Sequence, residues 1–226
     1  MRYKYETHAH TKEASACASA SGEQQAEFYK SKGYDGIFIT DHFFNGNTCV
    51  PADLSWEERV DRFALGYENA KKCGDQIGLK VFFGWEYSYR GADLLTYGLD
   101  KDWLKRNPAV MDMDVNAYCD FVHSEGGFIV HAHPFREDWY IDMLRLFPRK
   151  CDGCEVINSC RKELENEMAM IYAKQYGLIK TAGSDNHIAD QYRLSGIASI
   201  APIYDEEQFI ELLKSGNYNI FDDYCT

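Results

Sequence analysis

Short runs of β-branched and aromatic residues alternate along this chain with longer stretches whose apolar positions recur every three to four residues. The short runs are "RYKYE", "GIFIT", "LKVFFGWE", "FIVHA", "GCEVIN", "LIKTAG" and "GIASIA", and each reads as a strand. Between and after them, "SGEQQAEFYKSKG", "SWEERVDRFALGYENAKKCGDQIG", "DVNAYCDFVHSEGG", "DMLRLF", "KELENEMAMIYAKQYG" and "DEEQFIELLKSG" have helical spacing. Ser21 with Gln24, and Ser55 with Glu58, have the spacing of capping boxes, and Gly33, Gly126 and Gly177 stand where a left-handed residue ends a helix. Strand–helix alternation predicts a mainly parallel sheet. About seven strand candidates with no GxGxxG turn favour a closed α/β barrel over an open dinucleotide-binding sheet. The irregular stretches 43–54 and 87–93 read as lids or insertions, and the absence of a repeat, low-complexity tract or linker makes residues 1–226 a single domain.

Composition narrows the class. The 226 residues are 45% hydrophobic and 27% charged, enough for one sizeable core. No apolar run approaches the roughly 20 residues that span a bilayer, and "MRYKYETHAH" has no apolar signal region, so a soluble, cytoplasmic protein without a membrane partner is expected. The eight cysteines are expected to be reduced thiols, and the CxxC of "CDGCEVINSC" lacks the second pair of a structural zinc site. A net charge of −12 disfavours a nucleic-acid polymer as partner. A small anionic substrate is not excluded, because bound cations would dominate the local field.

The candidate chemistry lies at the ends of the strands. His8 and His10 follow the first strand; Asp41 and His42 follow "GIFIT"; Glu86 ends "VFFGWE"; His131 and His133 end "FIV"; Asn158 ends "CEVI"; Asp185 and His187 follow "LIKTAG". In a parallel barrel these ends converge on one face. All seven histidines except His123 are there, which independent turn preferences do not explain. Residues two apart on an extended segment point the same way, so His8/His10, His131/His133 and Asp185/His187 each present paired donors. Imidazoles mixed with carboxylates suit Zn, Mn or Fe, and so many donors suit two metals sharing a carboxylate, with Glu86 as the natural bridge.

The motifs "THAHT", "GIFITDH", "FGWEYS", "VHAHPFR", "GCEVIN" and "TAGSDNH", in this order, resemble the PHP family, named for its polymerase and histidinol phosphatase members. The resemblance covers residues 5 to 190. It implies a distorted (β/α)7, TIM-like barrel hydrolysing phosphoesters at two or three divalent transition-metal ions, with His8, His10, His42, Glu86, His133, Asp185 and His187 as metal ligands. Two departures stand out. Ser15, Ala16 and Cys17 occupy the neighbourhood where many members carry a His or Asp ligand, and "YSYRGADLLTYG" has no histidine after Glu86, only Asp93 or Tyr97 as oxygen-bearing substitutes. Cys17, Asp41 and His131 are further candidate ligands, His131 equally as a buried partner of one.

The expected function is hydrolysis of a small phosphate ester by a metal-activated water, with Glu86, Asp185 and His187 as catalytic residues. Arg136, Arg161 and Asn158 are the candidate substrate contacts, the arginines for forked bonds to phosphate oxygens. His187 or His42 could protonate the leaving oxygen. Two competing readings are a barrel amidohydrolase cleaving a C–N bond, which ordinarily has a bridging lysine where this chain has Glu86, and a non-catalytic metal-binding module.

Overall fold

The computed structural model describes residues 3–224, so Arg2 of the first strand run and Cys225 lie outside the described residues. The chain runs β1 (Tyr3–Ala9), α1 (Gly22–Ser31), β2 (Gly36–Ile39), α2 (Trp56–Phe63), α3 (Leu65–Ile77), β3 (Lys80–Tyr89), β4 (Ala92–Tyr97) and α4 (Lys101–Arg106). It continues with α5 (Val115–Ser124), β5 (Phe128–Ala132), β6 (Gly153–Asn158), α6 (Glu163–Tyr176), β7 (Ile179–Gly183), β8 (Arg193–Ser199), α7 (Glu206–Ser215) and β9 (Tyr218–Tyr224). Both capping boxes form, at Ser21/Gln24 and Ser55/Glu58. Gly33, Gly126 and Gly177 all have positive φ.

The described strands make one sheet in the order β7-β6-β5-β4-β3-β2-β1-β8-β9. It is nearly closed into a barrel, as expected, but it is not all parallel. β4 is antiparallel to both β3 and β5, and β8 is antiparallel to β1 and β9. The stretch 87–93 is thus not a lid but the end of a hairpin. Arg90 and Gly91, with φ of 49° and 88°, form its two-residue turn, whose positive φ values match the right-handed twist of the strands. The helix expected over "DMLRLF" is absent, and residues 141–148 are irregular. Six residues followed by Pro148 are too few to repay helix nucleation, and Arg145 instead binds the Arg90 and Met143 carbonyls.

The barrel closes at the end that carries the histidines. Beyond β7, Asn186 bridges to Ala9 in parallel, accepting from His10 N (2.9 Å) and donating to His8 O (3.3 Å). Below this, Tyr5, Phe38, Phe82, Tyr97, Phe128 and Phe209 fill the interior. Outside, Phe43, Phe63, Trp85, Tyr87, Trp103 and Tyr118 form an aromatic layer under the helices. The two-residue period of β3 separates these faces: Phe82 enters the interior cluster while Phe83, Trp85 and Tyr87 join the outer one. Glu86 therefore points inward, one layer above the apolar plug.

Candidate metal centre

Six strands, β1, β2, β3, β5, β6 and β7, run in one direction, and the polar residues at their ends meet above the interior core. Two bulges adjust the aim. Register shifts between Glu6 and Ala9 of β1, so Tyr5 enters the interior cluster while Ala9 packs outward against α1. A second shift between Glu155 and Ile157 of β6 lets both Glu155 and Asn158 face the centre.

Three sets of donor atoms gather there, each within 4.8 Å: His8, Glu86 and His133; His8, His10 and Asp185; His10, His42 and His187. Glu86 is fully buried, with Oε1 3.1 Å from His133 Nε2 and 3.4 Å from His8 Nε2, and Oε2 2.6 Å from His42 Nδ1. Asp185 Oδ1 lies 3.2 Å from His10 Nε2 and 3.6 Å from His8 Nε2, and its φ of 54° turns the chain inward just past β7.

The rings are held from behind. Glu155 Oε1 accepts from His8 Nδ1 at 3.0 Å. Ser15 Oγ donates to Asp41 Oδ1 at 2.7 Å, so it must accept from His10 Nδ1 at 3.2 Å. Both rings thus carry a proton on Nδ1, and their Nε2 atoms face each other 3.0 Å apart. Glu86 Oε2 lies 2.6 Å from His42 Nδ1, an ion pair whenever that ring is protonated. Buried imidazoles and carboxylates this close need positive charge among them, which ring protons supply in the metal-free protein and a shared cation can replace. Nitrogen donors with two carboxylates fit divalent transition metals.

The electrostatics agree. Burial opposes ionisation of Glu86, but His42 and His8 hold its carboxyl well below the usual range, and His8 and His10 do the same for Asp185. Burial lowers His8, yet Glu155, Asp185 and Glu86 together raise it well above an ordinary imidazole. His10 goes the other way, depressed by burial and by His187 and His42. Protons on some rings thus stand in for the positive charge that two ionised carboxylates require.

Above the donors opens a cavity of about 510 Å³ lined by Cys17, His42, Asn45, Arg90, Arg136, Tyr140, Arg161, Asp185 and His187, among others. A larger groove of about 700 Å³ lies between α6 and β9 but shares no residue with the donor sets, so size alone does not mark the site.

No protein-family model matches this chain, and no curated protein matches it by sequence. Solved structures do. A two-domain protein of Bacteroides vulgatus containing a predicted PHP-like metal-dependent phosphoesterase superposes with a TM-score of 0.74 over 98% of this chain, at 13% identity. The fold is the α/β barrel of these proteins. This chain spans 65% of that protein's length. A Bifidobacterium adolescentis protein whose metal-dependent phosphoesterase activity is inferred matches at a TM-score of 0.54 and 15% identity, covering 93% of this chain and 95% of its own. An amidohydrolase from Chromobacterium violaceum, with bound sulfate and no metal, matches at 0.54 and 14% identity, covering 95% and 97%.

Within this barrel, His8, His10, His42, Glu86, His133, Asp185 and His187 all meet at one centre. Other expectations need correction. His131 does not point with His133. It faces outward between Phe147 and Tyr172, both ring nitrogens unpartnered, because φ of 26° at His133 breaks the strand alternation and swings only that ring inward. Asp41 accepts from Thr11 N, Thr11 Oγ1 and Ser15 Oγ, so it supports His10 through Ser15 and does not join a donor set. Asn158 is fully buried, donating to Glu155 (2.8 Å) and accepting from Cys160 N, and does not line the cavity. Asp93 is committed to Ser88 and Arg136, and Tyr97 to the Thr7 carbonyl. The seven described cysteines are free, and the buried Cys151 and Cys154 join no donor set.

Glu155 and Glu6 escaped the sequence reading. Glu155 holds His8, the His133 amide and Asn158; Glu6 accepts from the His8 and Ser184 amides, tying β1 to the end of β7. For Glu155 the available signal was a carboxylate inside the otherwise mostly apolar run "GCEVIN", since such a group must be paired when buried.

Proposed function

We propose that this chain is a metal-dependent phosphoesterase acting on a small phosphate ester. The observation that carries this reading is the placement of buried Glu86 among His8, His42 and His133, with His42 and Asp185 in turn lining a cavity edged by Arg90, Arg136 and Arg161. His8, His10, Glu86, His133 and Asp185 would hold the ions. Such ions supply Lewis acidity, making water reactive near neutral pH and drawing charge from a phosphoryl oxygen.

The chain's own residues do the rest. Arg136 is clamped by Asp93 (2.7 Å) and the Gly91 carbonyl (3.3 Å), which fixes its guanidinium against the cavity wall, and its Nε has no partner. Arg161 likewise has an unpartnered Nε. These Nε atoms are buried, so any contact of the two cavity-lining guanidinium groups with phosphate oxygens would come from their Nη atoms. His42 and His187 reach the cavity, and either can protonate a leaving oxygen only while it holds no metal. The cavity volume of about 510 Å³ admits a small molecule, and the net charge of −12 weighs against a nucleic-acid strand.

The test is hydrolysis of 4-nitrophenyl phosphate by protein loaded with Mn or Zn, beside Glu86→Ala. Turnover in the wild type that Glu86→Ala loses supports the reading; no turnover with any divalent metal, or an equally active variant, refutes it. Amide hydrolysis without phosphatase activity would transfer it to amidohydrolase chemistry.

A further inference from the structure

α6 turns an apolar stripe to solvent. Its inner face buries Glu165, Ala169, Tyr172 and Ala173, and Asn166 pins the helix to β6, accepting from Asn158 N (3.1 Å) and donating to Asn158 O (3.1 Å). Leu164, Met168 and Ile171, at spacings of four and three, stand together on another side, with Leu164 and Ile171 exposed by 64% and 68%. Single exposed apolar residues need no account, but a solvated helix face ordinarily carries polar residues along such a row. The apolar surface continues past the helix. Ile171 and Tyr224 line the same groove of about 700 Å³ between α6 and β9, and the exposed rings of Tyr224 and Tyr192 lie 6.0 Å apart. Along one flank of the stripe run Glu167 and Lys174, and neither has an ion-pair partner among the described residues.

We propose that a second copy of this chain covers the stripe, the two α6 helices packing antiparallel about a two-fold axis. That arrangement sets Met168 against the partner's Ile171 and Glu167 beside the partner's Lys174, and symmetry repeats both contacts. An unrelated partner would need a base near the start of α6 and an acid near its end; a second copy running the other way supplies both. A stable dimer buries on the order of 1,200 Å² or more in total. At 1.5 Å per residue α6 is about 21 Å long, too short to bury that area alone, and Tyr192 and Tyr224 across the groove extend the apolar contact. The net charge of −12 repels a second copy at long range, but in 0.15 M salt the screening length is about 8 Å, so the local pairs decide. The metal centre takes no part, and the inference is independent of the phosphoesterase reading.

Sedimentation of the full chain from roughly 1 to 100 μM reads its mass. Wild type is expected to reach twice the monomer mass. Ile171→Asp should weaken association by at least about 100-fold, since each dimer loses two buried isoleucines, while far-UV circular dichroism stays unchanged because Ile171 is exposed in the single chain. Glu167→Lys and Lys174→Glu, each alone, set like charges together twice per dimer and should each weaken association about tenfold. Mixed in equal amounts, these two variants are expected to pair with each other at about wild-type strength, because every facing charge is then opposite. A dimer that Ile171→Asp leaves intact, or a mixture of the charge variants no tighter than either alone, would overturn the proposal. So would a wild type that stays monomeric throughout, which would leave this face to a different protein.

Discussion

Glu155→Gln separates positioning from ligation. Glu155 is fully buried and uses both oxygens, Oε1 for His8 Nδ1 (3.0 Å) and Oε2 for the His133 amide (3.0 Å) and Asn158 Nδ2 (2.8 Å). Glutamine keeps the shape but replaces one acceptor by an NH2 group. Whichever way it turns, donor meets donor. If the NH2 faces His8, the ring must move its proton to Nε2, which blocks the nitrogen that faces Glu86 and Asp185. Loss of such a supporting partner typically weakens metal binding about 10- to 100-fold, or roughly 1.4–2.8 kcal/mol. The stranded buried donor adds about 1–3 kcal/mol of destabilisation to the metal-free protein, each kcal/mol lowering Tm by about 2–4 °C at this chain length. Competition with a chromophoric chelator gives the affinity, and a thermal melt in EDTA gives the stability. A variant that binds zinc within twofold of wild type would show that Glu155 does not orient His8 for a metal.

Other expectations follow from the same geometry. Metal affinity should rise with pH between 6 and 8, by about tenfold per unit for each proton displaced, because His8 and His42 are both held above the usual imidazole range in the metal-free protein; calorimetry in buffers of different ionisation enthalpy counts the protons. Gly183→Ala should abolish metal binding and cost stability, since its Cβ would sit 2.5 Å from His8 Cβ and 2.6 Å from Glu155 Oε1; metal content near that of wild type would contradict this. His131→Phe should leave metal content unchanged and raise Tm, by a margin that grows as pH falls. Burial depresses His131 from 6.5 to about 3, so the folded state holds it neutral while the unfolded chain takes up a proton below pH 6.5, a penalty of about 2 kcal/mol at pH 5 that phenylalanine removes. A Tm difference independent of pH would sink that account.

Much of the centre was legible along the chain because strand ends in a parallel barrel must share a face. Six runs ending in His, Asp, Glu or Asn therefore meant one site, whatever the exact registers. The unread parts were those where backbone geometry overrides the period of two. His131 and His133 repeat the spacing of His8 and His10, yet positive φ at His133 sends the two rings to opposite sides of the sheet. The β6 bulge likewise brings Glu155 and Asn158 to the same side at an odd spacing.

The antiparallel strands were hidden for a different reason. "ADLLTY" follows a two-residue turn whose Arg-Gly pair lacks the usual Asn-Gly signature, and β9 carries two acidic residues in an exposed edge strand. Local composition determined which segments are strands and helices, which capping residues end them, and which residue types stand at the strand ends. Tertiary structure alone decided which ring nitrogens face the centre, which carboxylates join the donor sets and which hold the rings from behind, and that Cys17 meets His42. Most of those outcomes depend on contacts between residues 25 to 175 positions apart, and no local pattern encodes a contact whose partners are brought together only by closing the barrel.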